Sequence, residues 1–101
     1  MKKLFGVVLV SFSVGALADP AAPPAHYQQS CFACHSTGAA GAPMTHDTAA
    51  WEPRLAQGMP TLIQHVTNGF NAMPPHGLCA DCTEADYKAL IEFMSSPAPA
   101  N

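Results

Sequence analysis

The sequence predicts an all-α domain of four to five short helices, on three observations. No segment alternates apolar and polar residues as a half-buried strand does, apolar residues recur at three- and four-residue spacing, and proline and glycine stand where helices start and stop. In chain order, a first short helix starts after Pro24 and places Tyr27, Cys31 and Cys34 at i, i+4 and i+7 on one stripe, the stripe expected to face the centre of the domain. Asp47 is the expected N-cap of a short turn containing Trp51, and Pro53 to Gln57 forms a further turn closed by Gly58. Pro60 then occupies the first position of a helix that points Leu62, Ile63 and Val66 inward and stops at Gly69. Thr83, with Asp86 three residues on, opens the last helix in the manner of a capping box. Tyr87, Leu90, Ile91 and Met94 follow at core spacing, and Pro97 lies past the end.

The two ends have a different character. Residues 1–18 read as a secretory signal peptide: Lys2 and Lys3 form a positive start, Leu4 to Leu17 is apolar apart from Ser and Gly, and Ala16-Leu17-Ala18 is a cleavage motif. A membrane anchor is the alternative, but the apolar stretch is shorter than the ~20 residues that span a bilayer and no second one follows. Pro/Ala-rich tails at 19–25 and 96–101 bound a folded part at 26–95. The expectation is an exported protein that starts near Asp19, works in a bacterial periplasm and has no membrane anchor after cleavage. Only 83 of the 101 residues then remain, few enough that a covalent or cofactor-based support for the core is expected. The formal charge of −3 becomes −5, because Arg54 and Lys88 are left against seven Asp and Glu. Nucleic acid is excluded as a partner by that balance, and partners with neutral or basic docking faces are favoured.

Chemistry enters at Cys31-Phe32-Ala33-Cys34-His35, a C-x-x-C-H sequence. Two thiols three residues apart share one side of a helical turn, so each can add to one of two vinyl groups along a porphyrin edge, and the histidine that follows is carried over the ring face as an iron ligand. The motif implies one covalently attached haem c. A metal-binding or redox C-x-x-C that happens to precede a histidine is the alternative. Met73 is the candidate for the second axial position, since Asn71-Ala72-Met73-Pro74-Pro75 sets a thioether beside two prolines that restrict the backbone. Met44, Met59 and Met94 compete with it but suit packing roles. His26, His46, His65 and His76 read as solvated surface residues, any of which could make a bis-histidine haem, His76 above the others because it stands three residues after Met73.

A second C-x-x-C, Cys79-Ala80-Asp81-Cys82, is followed by Thr83 and so lacks an iron ligand. In an oxidising compartment a short-loop disulfide between Cys79 and Cys82 is the simplest outcome, worth about 2 kcal/mol on the loop-entropy argument. A four-cysteine zinc site and a thioredoxin-type dithiol remain as alternatives, against a 44-residue separation of the two pairs and the lack of a βαβ setting.

Together these residues resemble the class I c-type cytochromes, and among them the small bacterial cytochrome c5 family. The similarity runs from about Gln28 to Met94 through Cys31-x-x-Cys34-His35-x-x-Gly38, Gly41-Ala42-Pro43, Trp51-x-x-Arg54, Gly58, Asn68-Gly69, Ala72-Met73-Pro74-Pro75 and Gly77-x-Cys79-x-x-Cys82. The resemblance implies a class I cytochrome c fold around one covalently bound haem c. It makes His35 and Met73 axial, gives the His35 ring proton to the Pro43 carbonyl, pairs Cys79 with Cys82, and sets Trp51 and Arg54 near a haem propionate. Without it, Trp51 reads as a core aromatic and Arg54 as an exposed charge. The chain departs from the resemblance in its short, proline-prefaced first helix, which reduces the contact with the last helix to Tyr27 against Leu90, Ile91 or Met94, and in Phe70, where a basic residue is expected. Two function classes follow: a one-electron carrier with both axial sites filled, and a haem enzyme or gas sensor with an open site and acid/base groups nearby. The surroundings of Met73 offer no such groups, so the carrier is favoured. Its partners are then a redox protein donor and acceptor in a respiratory chain, including a membrane oxidase or reductase complex.

Overall fold

A computed structural model describes residues 5–12 and 22–99. Lys2, Lys3, the Ala16-Leu17-Ala18 motif, Asp19, Pro20 and Asn101 lie outside the described residues, and residues 5–12 are exposed without regular structure. Four α-helices follow, α1 (Phe32–His35), α2 (Thr48–Leu55), α3 (Met59–Asn68) and α4 (Glu84–Ser95). Among the described residues the only β pairing is an isolated bridge between Phe70 and Met73. The expected helical class and number of helices are both found. No helix among the described residues is long and apolar enough to cross a membrane.

Local chemistry accounts for most boundaries. Asp47 caps α2 by accepting from the Ala50 N–H at 3.2 Å, and Gly58 and Gly69, at φ 94° and 85°, bracket α3. The capping box at α4 is complete. Thr83 Oγ1 accepts from the Asp86 N–H at 3.2 Å while Asp86 Oδ2 accepts from the Thr83 N–H at 2.8 Å. Those bonds favour the carboxylate and hold Asp86 below its ordinary pKa.

Two elements differ from expectation. Pro53 does not begin a separate turn but lies inside α2. The proline removes the N–H that would have bonded the Ala49 carbonyl, and Ala49 is exposed, so water can take that acceptor. The first helix is also not continuous: Tyr27–Cys31 forms a π-helical turn before α1 takes over. The wider turn breaks the expected stripe. Ser30, and not Tyr27, joins Cys31 and Cys34 on the central cleft, while Tyr27 turns away to reach Thr45 Oγ1 with its hydroxyl at 2.8 Å.

Tyr27, Trp51, Leu62, Leu90, Ile91 and Met94 make the buried core, with Cys31, Met59, Ile63, Val66, Cys82 and Phe93 packed against it. Here the structure adds a contact to those expected of Tyr27. Its ring meets Phe93 edge-on at 5.0 Å, so the short N-terminal turn is joined to α4 through an aromatic pair as well as through the core. Packing of α3 on both α4 and the Pro75–Leu78 turn then leaves a cleft between the cysteine-bearing turn and the 69–78 loop.

Candidate haem cleft

One wall of the cleft is built by the π-turn, α1 and the segment after it. Cys31, Cys34 and His35 all line it, and neither Cys31 nor Cys34 is paired with another cysteine. Without an attached group, burial raises the Cys31 thiol above its ordinary pKa against the smaller opposing effect of a Ser30 contact. His35 is held in one orientation. Its Nδ1 lies 2.7 Å from the Pro43 carbonyl oxygen, and since that oxygen only accepts, Nδ1 carries the proton and the Nε2 lone pair is left free to bind a metal. Burial, opposed by the Pro43 bond and reinforced by the charge of Arg54, lowers the His35 pKa and keeps the imidazole neutral. Trp51 stacks beside the ring, with centroids 5.7 Å apart and planes at 25°, and donates its Nε1–H to the Met44 carbonyl at 3.0 Å.

The other wall is the loop from Gly69 to Leu78. Phe70 and Met73 exchange backbone hydrogen bonds at 3.0 and 2.9 Å, which closes a tight turn over Asn71 and Ala72 and presents Met73 to the cleft. The space between the walls amounts to about 840 Å³, part of it open to solvent, and its lining is mainly apolar. A second, smaller cavity lies behind it. His35, Pro43, Arg54, Val66, Phe70, Met73 and Met94 border both spaces. The donor set therefore consists of two thiols, a neutral imidazole with one nitrogen committed, and the thioethers of Met73 and Met94, all on a single apolar cleft. That set fits one haem c: thiols for the vinyl groups, imidazole and thioether for iron, apolar walls for the porphyrin.

The second cysteine pair stands apart. The sulfurs of Cys79 and Cys82 are at bonding distance and their Cα atoms 5.4 Å apart. With His26 they make the only group of three His, Cys, Asp or Glu donors within 4.8 Å among the described residues, but two sulfurs joined to each other are not free to bind a metal. Cys31 and Cys34 are not in that group, so no four-cysteine centre forms.

Comparison with known proteins agrees with this geometry. A family model described as cytochrome c oxidase, cbb3-type, subunit III matches residues 18–94. The cytochrome c5 of Azotobacter vinelandii is 46% identical over 67 residues, which are 64% of this chain and 81% of that protein. The cytochrome c5 of Ectopseudomonas mendocina is 43% identical over 67 residues, 64% of this chain and 77% of its own. In structure, the chain is similar to a mono-haem ferrocytochrome c from Shewanella putrefaciens, with 59% identity, a TM-score of 0.63, and 70% and 88% of the two chains covered. The chain belongs to the class I c-type cytochromes.

As a member of that family it carries one covalent haem c and transfers electrons. The cytochrome places most of the residues singled out in its sequence on the cleft: Cys31, Cys34, His35, Pro43, Arg54 and Met73 line the larger space, and Trp51 the smaller one behind it. Arg54 directs Nη1 to the Ala50 carbonyl of its own helix at 2.6 Å. Of the competing methionines, Met44 is 44% exposed, while Met94 is buried in the core and also reaches both cavities.

Three of the histidines correct the expectation of solvated side chains, His26, His46 and His65 being half-buried, whereas His76 is exposed as expected. His46 is half-buried and spans back to α4, its N–H donating to the Met94 carbonyl at 2.6 Å and its Nδ1–H to the Ser96 carbonyl at 2.8 Å. His65 stacks on Phe70 with ring centroids 3.9 Å apart and planes at 8°. His26 lies 3.9 Å from Asp81, and His76 Nδ1 lies 3.0 Å from the Tyr87 hydroxyl. Sequence reasoning had no signal for Ser30, which lines the cleft at 3% exposure, nor for the stack that supports Phe70 at its edge.

Gly69 sets the geometry of the Met73 wall. Its φ is +85°, and a Cβ there would sit 3.1 Å from Pro75 Cδ and 3.2 Å from the Met73 carbonyl oxygen. Both the backbone strain and the crowding fall on the ligand loop. Gly69→Ala is expected to cost about 1–3 kcal/mol in guanidine unfolding of the holoprotein. An unfolding midpoint equal to wild type would show that the loop can accept a side chain at this position.

Proposed function

We propose that this cytochrome is an exported, periplasmic carrier that passes single electrons between redox proteins of a respiratory chain, with a membrane oxidase or reductase complex among its partners. The observation that carries the reading is the convergence of Cys31, Cys34, His35 and Met73 on one apolar cleft. In this reading Cys31 and Cys34 are the thioether attachment points and His35 and Met73 the axial ligands, which leaves no coordination site for a substrate. Haem c, when bound, supplies a one-electron iron couple whose potential a thioether ligand raises. The Pro43 carbonyl fixes the His35 tautomer and ring orientation, and the Phe70–Met73 backbone pair delivers the thioether in a preset turn. Trp51 and Arg54 lie toward a haem propionate, the guanidinium pairing its charge. Cys79 and Cys82 form a disulfide that ties the end of the ligand loop to the start of α4. Export is supported by the charged, apolar and small-residue pattern of residues 1–18.

Partner recognition is read from the mouth of the cleft. Ala39, Ala40, Gly41, Phe70, Ala72 and Leu78 line it and are exposed, which lets another protein approach closely with little charge at the contact. Redox encounters of this kind bury less than ~1,200 Å². A chain from the crystal structure of an electron transfer complex of nitrite reductase with cytochrome c is similar to this one at 39% identity and a TM-score of 0.65, with 78% of this chain and 95% of that chain covered. A reductase of that kind fits the donor and acceptor class proposed.

The axial assignment is tested in oxidised protein by the weak near-infrared sulfur-to-iron band. Met73→Ala is expected to abolish it, and Met73→His to retain low-spin haem at a lower potential. Loss of the band in Met44→Ala instead would place the ligand elsewhere.

Thiol titration tests the cysteine roles. The mature protein should show no free thiol, and reduction should release two, at Cys79 and Cys82, with the haem still attached. Two reactive thiols before reduction would remove the disulfide from the proposal.

For docking, the electron-transfer rate with a native partner should fall only modestly between low and physiological ionic strength, and Ala72→Lys should slow it more than Glu92→Lys. A steep salt dependence, or equal effects of the two substitutions, would give recognition to the acidic surface and not to the apolar rim.

A further inference from the structure

The loop that carries Met73 ends in a conformation that L-residues seldom adopt. His76, Gly77 and Leu78 have φ values of 63°, 56° and 65°, three successive residues in the left-handed region, and two of them bear side chains. Such a run persists only where its surroundings over-determine it. Within the turn the Gly77 N–H reaches the Pro74 carbonyl at 3.0 Å and the Cys79 N–H the His76 carbonyl at 2.9 Å. Both bonds are local, and neither joins the loop to the rest of the molecule.

Beyond the packing of α3 on this turn, a hydrogen-bonded connection is made by Tyr87. Its side chain is 4% exposed, and it is buried outside the main core cluster that holds Leu90, Ile91 and Met94 of the same helix. Its hydroxyl lies 3.0 Å from His76 Nδ1 and 3.3 Å from the Cys79 carbonyl oxygen. The hydroxyl has one proton, and the carbonyl only accepts. Tyr87 therefore donates to Cys79 and receives the His76 Nδ1–H, an arrangement in which all three groups are satisfied and the hydroxyl bridges both ends of the left-handed turn. At the other end of the loop the Phe70–Met73 backbone pair and Gly69 make a second anchor, so Met73, Pro74 and Pro75 lie between two pins.

We propose that Tyr87 and His76 form a clasp that holds the ligand loop closed, which makes both of them positioning residues for the axial thioether. The inference rests on the reading of Met73 as that ligand. Opening the clasp leaves the fold in place but frees the downstream end of the loop, so the fraction of molecules with the thioether off the iron rises. Any added ligand that competes for the ferric iron then binds with an apparent affinity that rises with that fraction.

Imidazole titration of the ferric holoprotein reads this directly. His76→Ala is expected to tighten apparent imidazole binding up to about tenfold, the scale of one lost, partly buried hydrogen bond, and Tyr87→Phe, which removes two, at least as much. The double variant should be no tighter than Tyr87→Phe alone, because loss of the hydroxyl already removes the bond to His76 together with the one to Cys79. His76→Asn, whose amide can donate in place of Nδ1 and which tolerates positive φ, should bind imidazole as wild type does. Far-UV circular dichroism melting should change less than the thermal midpoint at which the near-infrared band is lost. Wild-type imidazole affinity in Tyr87→Phe and His76→Ala, additive effects in the double variant, or failure of His76→Asn to restore the wild-type value would each overturn the clasp. Should Tyr87→Phe not fold, His76→Ala against His76→Asn decides alone. The Met73 reading is separated by its own variant: if Met73→Ala keeps the band, the ligand assignment fails, whereas loss of the band there with unaltered imidazole binding in the clasp variants sinks only the clasp.

Discussion

Four residues without a helix of their own, Pro43 to His46, exchange hydrogen bonds with the N-terminal turn, α1, α2 and the end of α4. The Pro43 carbonyl accepts from His35 Nδ1 and the Met44 carbonyl from Trp51 Nε1. The Thr45 N–H returns to the His35 carbonyl at 2.7 Å while its hydroxyl meets that of Tyr27, and His46 reaches two carbonyls at the end of α4. This convergence matters because α1 is a single turn of four residues. A turn of that length has no stability of its own, since the nucleation cost of a helix is recovered only over many residues. The position of His35 is therefore imposed from outside, and the segment that imposes it also fixes which ring nitrogen keeps the proton. Orientation of the imidazole and docking of α1, α2 and α4 are one constraint.

The facing wall is held by a different device. Between Gly69 and Leu78 the chain enters the left-handed region at Gly69, Asn71, His76, Gly77 and Leu78, so the loop is shaped by backbone conformation more than by side-chain bonds. Prolines at 74 and 75 remove two donors and restrict the chain in the middle of that path. The result is a wall that is stiff where Met73 stands and strained where it rejoins α4. Strain of this kind has a use only if something opposes its release, and the groups that oppose it are at the loop's ends: the Phe70–Met73 pair before, Tyr87 and the Cys79–Cys82 pair after.

What could be read in the sequence was chemistry with fixed local spacing. Cys31, Cys34 and His35 follow the reach of a porphyrin edge, Thr83 and Asp86 the reach of a capping box, and Asp47 the reach of an N-cap, each settled within five residues of chain. The structure places these residues where the spacing implied. The histidines were illegible for the opposite reason. The Nδ1 partner of His46 is a carbonyl 50 residues away, and an imidazole bonded to backbone leaves no pattern in side-chain identities. Likewise nothing in the letters His76-Gly77-Leu78 announces three left-handed residues, since only one of them is glycine. Tyr27 was misplaced by a single residue's worth of geometry: a π-turn rotates the stripe that an α-helix would have kept.

Charge acts on this cytochrome at two ranges, with opposite signs. In the chain as a whole, acidic side chains outnumber basic ones seven to four. Their field favours the more positive state of any group in the cleft, but over distances beyond the ~8 Å screening length at physiological salt that effect is weak. Arg54 is the only arginine in the chain, it is half-buried, and it borders both cavities. At that distance its charge already helps to keep His35 neutral. The same field favours the electron-rich state of a redox centre on this wall, and it is neutralised to the degree that the guanidinium pairs with an acidic group of the cofactor. Within the cleft Arg54, so far as it is unpaired, acts at shorter range than the distant and screened negative surface.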